Sequence, residues 1–182
     1  MRVNLASLAV AAAAGLFVTA SQAAPIYADT LVASSNVTSF GSGKVTGAPD
    51  GGGIFLGSTF DPPAQLGTFT VFFATPLGNG AGADLVVVEL VSFASETFSV
   101  EVSSDNLSYT LLGEFSATNN QIDFGSFGGP VSYVRLTNTS TTVSADIDAL
   151  YGNFAASVPE PGILALLGFG LAGLAATRRR KQ

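Results

Sequence analysis

Cysteine, histidine and tryptophan are all missing from this chain. Without cysteine there is no disulfide framework, so packing or a metal ion must hold the fold. With neither cysteine nor histidine, the usual zinc sites are excluded, as is every Ser-His or Cys-His nucleophile pair. The lack of tryptophan leaves Phe and Tyr as the only faces on which a sugar ring could stack. Positive charge is nearly as scarce, with seven Lys and Arg against thirteen Asp and Glu. Arg2 and the cations at 178–181 account for five of the seven, which leaves Lys44 and Arg135 for everything between. Twelve of the acids lie in that stretch, so residues 24–158 carry a net charge of −10. Such a segment repels nucleic acid and anionic membrane surfaces. Anionic polysaccharide would need a bridging divalent cation.

Long apolar runs are present, one at each end. Arg2 precedes a run from Leu5 to Val18 that is broken only by Ser7 and Gly15. Thr19-Ala20-Ser21-Gln22-Ala23 then offers the small residues that signal peptidase reads. Residues 1–23 are therefore a secretory signal helix, delivered to the Sec machinery and cut after Ala23, with an uncleaved anchor as the alternative.

At the other end, Val158-Pro159-Glu160-Pro161 breaks the chain before an apolar run over 162–177, and Arg178-Arg179-Arg180-Lys181 follows. Sixteen residues of helix span roughly 24 Å, a little short of a ~30 Å hydrocarbon core, and arginine stems can snorkel across the difference. A buried helix of a globular domain would show a polar face, and this run has none. The four cations fit a positive-inside stop, so 162–177 reads as a transmembrane helix. Gly168, Gly170 and Gly173 spell a dinucleotide-binding fingerprint, but no strand precedes them and no acid follows them, so the match is accidental.

Breaker, apolar helix and basic stop, in that order, resemble the PEP-CTERM sorting signal of Gram-negative bacteria. The resemblance implies that a membrane transpeptidase, an exosortase, reads the tail over 155–182. It also implies passage through the inner membrane to the cell surface or the exopolysaccharide matrix.

Between the ends, period-two alternation and β-branched residues dominate. Strands are expected at 67–73, 84–91, 96–103, 109–112, 131–137 and 146–151, with shorter ones at 30–33, 54–56 and 121–124. The run at 84–91 is apolar enough for a central strand buried on both faces, and 67–73 should stop at Thr75-Pro76. Phe98, Val100 and Val102 should face inward with the neighbouring acids outward. Glycine, proline, asparagine and aspartate cluster between these stretches, as sandwich-end loops require. The expected fold is all-β, a single antiparallel β-sandwich over 24–154.

Several phrases in this region resemble the discoidin or galactose-binding-like jelly roll. They are Ala28-Asp29-Thr30-Leu31-Val32, Gly47-Ala48-Pro49-Asp50-Gly51, 82–89, 98–106, Tyr133-Val134-Arg135-Leu136 and Ala145-Asp146-Ile147-Asp148-Ala149. The resemblance implies, for some relatives, a structural calcium between an early Asp-Gly loop and the last strand. Here that places the ion at Asp50 and nearby carbonyls, with Asp148 or Asp146 as the late carboxylate. The plainer reading of Asp50 is a residue that closes the turn after Pro49. Asp29, Asp84 and Glu89 read as strand-end or loop-facing residues.

Glycoside hydrolysis would need two acids about 5–10 Å apart in a cleft. Glu89, Glu96 and Glu101 are near in sequence, but a small sandwich with short loops leaves little room for one. The expected function is a non-catalytic component of the cell surface or exopolysaccharide matrix, with a carbohydrate-binding module as the alternative. Exposed aromatic side chains at one loop end would favour sugar binding, which makes Phe40, Phe55, Phe60 and Phe127 the positions to inspect. Each could equally be a core aromatic beneath a loop.

Overall fold

A computed structural model describes residues 24–57, 65–90 and 95–152. The signal segment 1–23 and the tail 155–182, with Ala23, Val158, Pro159, Glu160, Pro161 and the basic residues 178–181, lie outside the described residues. In chain order the strands are β1 (Ile26–Tyr27), β2 (Thr30–Ser35), β3 (Thr38–Phe40), β4 (Gly53–Phe55), β5 (Thr68–Leu77) and β6 (Leu85–Glu89). They continue as β7 (Thr97–Ser103), β8 (Thr110–Ser116), β9 (Gln121–Ile122), β10 (Val131–Asn138) and β11 (Asp146–Gly152). All pairings are antiparallel and there is no helix among the described residues. One sheet runs β3-β4-β11-β6-β9, with β1 also on β11, and the other runs β2-β5-β10-β7-β8.

Alternation explains how the sheets meet. Phe69, Val71 and Phe73 of β5, Phe98, Val100 and Val102 of β7, and Val134 and Leu136 of β10 are fully buried. They form one core with Ile54, Leu85, Val87, Ile147 and Leu150 of the other sheet. Each such side chain contributes about 1.5–3 kcal/mol of burial. This apolar layer holds the two sheets together without any disulfide.

Each expected stretch carries a strand, and β1 and β3 add two short ones. Three expectations need correction. β5 does not stop before Pro76 but runs through it to Leu77. Its β2 side is already an edge there, because the β2 pairing ends at Phe72, so no ladder bond is lost. Asp29 covers the start of that edge by accepting the Ala74 N–H at 2.7 Å. Secondly, β6 is buried on one face only, with Val86 and Val88 half-buried. The strand buried on both faces is β11, despite its two aspartates.

The third correction concerns the acids beside β7. Glu101 points outward, where Arg135 of β10 binds both its oxygens at 2.7 and 2.8 Å. Glu96 instead shares the inward parity of Phe98 and is only 5% exposed.

Asp84 behaves as a strand-end residue of an informative kind. Its carboxylate is 3% exposed and accepts the Gly80 N–H at 2.6 Å and the Phe124 N–H at 2.8 Å. Two loops are thereby tied to the start of β6. Asp84→Ala leaves those donors unmet and is expected to cost about 1–3 kcal/mol in urea unfolding, with Asp84→Asn costing less because it keeps one acceptor.

Candidate functional site

A bulge in β11 distributes its acids. Ile147 pairs with Glu89 and Ala149 with Val88, so Asp148 is an extra residue on its strand. Bulges re-aim side chains. Ile147 and Leu150 therefore both reach the core, while Asp148 turns to the loop before β4. Its two oxygens accept the Asp50 N–H at 3.1 Å and the Gly51 N–H at 3.2 Å. Asp50 in turn accepts the Gly52 N–H at 3.0 Å and the Ser42 hydroxyl at 2.9 Å. Gly51 sits at φ +81°, and a Cβ on Gly53 would stand 2.0 Å from the Ile147 carbonyl oxygen. The loop lies this close to the bulge because those positions are glycine.

Asp50 and Asp148, expected to share a calcium, are thus brought together by main-chain donors. Successive N–H groups offer a positive concavity, which suits a carboxylate rather than a cation beside it. Asp50 closes its turn onto Gly52, as the plainer reading had it. The pair fits a hydrogen-bonded clasp better than a calcium cage.

Asp146 leads elsewhere. One oxygen each from Glu89 at the end of β6, Glu96 just before β7 and Asp146 at the start of β11 lie within 4.8 Å of one another. Glu96 is 5% and Asp146 6% exposed. Both carboxylate oxygens of Glu89 are sealed from solvent and have no hydrogen-bond partner. Burial, then the negative charges of Glu96 and Asp146, push Glu89 up from 4.5 to about 8.

Glu89 carries the inward parity of Leu85 and Val87, as Glu96 carries that of Phe98. An acid on the inward stripe of a strand was the available signal. It was obscured by taking Glu89 as a strand-end or loop-facing residue and Glu96 as an outward acid.

The remaining candidates scatter. Phe40 and Phe55 stack on each other, with ring centroids 4.3 Å apart, and Phe55 is buried. Phe60 lies outside the described residues. Phe127 is half-buried and packs on the core, beside a shallow hollow of about 450 Å³ lined by Gly78, Asn79, Phe127, Gly128, Gly129 and Pro130. Arg135, besides gripping Glu101, lies 3.9 Å from the centre of the Tyr109 ring. Lys44 is exposed.

The buried acids set a pH dependence. Glu89 keeps its proton in the fold over a range where the unfolded chain, at 4.5, has lost it. Its contribution is fully present below 4.5 and is lost as pH rises toward about 8. In chelator, the melting temperature is expected to fall from pH 5 toward pH 8. Glu89→Gln should flatten that slope, and an equal slope in the variant would refute the assignment.

Residues 157–181 match the family described as the PEP-CTERM protein-sorting motif. The matched span contains Val158, Pro159, Glu160 and Pro161, the apolar run and the basic cluster. No curated protein and no solved structure matches the chain. The motif supports export on a membrane-directed tail and sorting by an exosortase.

Proposed function

We propose that the chain is an exported, non-catalytic component of the bacterial cell surface or exopolysaccharide matrix. The signal segment is removed after Ala23 and the tail is processed by an exosortase at the inner membrane. The observation that carries this reading is the sorting-motif match at 157–181. Proline disfavours helix at its own position and the one before, so Pro159 and Pro161 would separate a recognition segment from the apolar run. A passive role is supported by the convergent acids. The Glu89 oxygens are sealed from solvent and do not line an open cleft of the kind glycoside hydrolysis needs. The described surface is acidic, with Arg135 already paired to Glu101.

Carbohydrate binding is the second reading, favoured by the hollow beside Phe127. Its volume of about 450 Å³ falls within the range of small-ligand sites, and glycines leave its floor open. The Asn79 amide that lines it already donates to the Gly125 and Phe127 carbonyls, at 2.8 and 3.1 Å. A sugar there would rest on the Phe127 ring and on main-chain groups.

Pro161→Ala is expected to leave an unprocessed species in the inner membrane, seen by intact mass and fractionation, while the wild type ends near the Pro-Glu-Pro segment. Unchanged mass and location in the variant would remove the sorting reading. Phe127→Ala should abolish retention on matrix glycan if the second reading holds. Equal retention of variant and wild type would leave the scaffold role alone.

A further inference from the structure

We infer that Glu89, Glu96 and Asp146 form a binding site for one calcium ion, distinct from the Asp50–Asp148 clasp. The geometry comes first. Two oxygens that each lie about 2.4 Å from a common ion can be no more than about 4.8 Å apart. The three carboxylates meet that bound, with one oxygen from each within 4.8 Å of the others. Three carboxylates binding through both oxygens supply up to six donors, the lower end of what calcium takes. The chain has no cysteine or histidine to attract a softer metal, and all three donors are hard oxygens.

The second observation is the orphaned group. Both Glu89 oxygens are buried and unpartnered, a state that costs the full desolvation of the carboxylate. Protein cations do not relieve it. Among the described residues Lys44 is exposed, and Arg135 is engaged by Glu101 and Tyr109. A divalent ion would be held by the oxygens that otherwise repel one another. Magnesium suits the site less well, because it holds several waters and demands a small octahedral shell, while the Glu89 oxygens are closed to solvent.

The placement gives the ion a structural task. Glu89 and Asp146 belong to β6 and β11 of one sheet, and Glu96 leads into β7 of the other. Bound calcium would cross-link the two layers, the service that disulfides give other exported domains. Extracellular calcium modules bind at about 10⁻⁴–10⁻³ M, and affinity in that range or tighter is expected here.

The test uses the full chain in detergent, stripped with chelator and titrated with calcium or magnesium by calorimetry, alongside thermal unfolding. The expected result is one calcium per chain, a rise in melting temperature, and weaker binding of magnesium. Glu89→Gln and Asp146→Asn should each weaken calcium binding at least about tenfold, whereas Asp50→Asn should leave it unchanged. In chelator near pH 8 Glu89→Gln should melt no lower than the wild type, since it removes an unpartnered carboxyl that must otherwise hold a proton or bury a charge. If it does not fold, Asp146→Asn decides the question. No saturable calcium binding by the wild type, or binding that survives the substitutions at 89 and 146, overturns the site. Binding lost only in Asp50→Asn also overturns it and moves the ion to the clasp. None of these readouts depends on where the chain is sorted.

Discussion

Everything in one sheet hangs on β11. It pairs with β6 along one side, while β4 and β1 divide the other between them. No other strand of that sheet could be removed with so many partners stranded. Its bulge is equally consequential. One extra residue sends Asp148 to the loop before β4, leaves Asp146 facing Glu89 and Glu96, and still returns Ile147 and Leu150 to the core. A regular strand could not serve all three directions, since its side chains alternate strictly between two faces.

The domain handles most of its excess of negative charge in two ways. Some carboxylates are satisfied by main-chain donors, as at Asp84 and Asp148. Asp105 is another. The Ser108 and Leu107 N–H groups, followed by the Ser103 hydroxyl, hold its carboxyl below the usual range in the β7–β8 turn. One carboxylate, Glu101, takes the single strand-borne cation. Glu89 has neither kind of partner. Backbone amides are thus the chief counter-charge, which suits a chain with so few lysines and arginines, because every residue but proline carries such a donor.

Sheet membership was legible wherever alternation was long. The inward stripe of Phe98, Val100 and Val102 follows directly from period two, and the same rule places Glu96 correctly once it is applied without assuming that acids face water. The limits of β5 were not legible, because Pro76 is tolerated only through the early end of β2, a fact of pairing rather than of local sequence. Nor could burial on both faces be assigned. The outward Val86 and Val88 of β6 are half-buried, whereas on β11 the loop at 50–51 covers Asp148 and only Tyr151 is not buried. Asp50 and Asp148 were expected to share an ion; what the fold brings together is the Asp148 carboxylate and the Asp50 and Gly51 N–H groups, and the bulge that does so is invisible until register is known. The tail is the opposite case: its order of breaker, apolar run and basic cluster is linear, and linear patterns survive without a fold.

The central place of β11 has a consequence in time. A chain emerging from its N-terminus presents β4, β6 and β1 long before the strand they must flank. That sheet therefore has a gap until residue 152 has emerged, and the sorting-motif match begins only five positions later, at 157. Contacts so distant in sequence form late and slowly. The apolar layer cannot be completed before β11 is available, and by then the segment that addresses the protein is almost within reach.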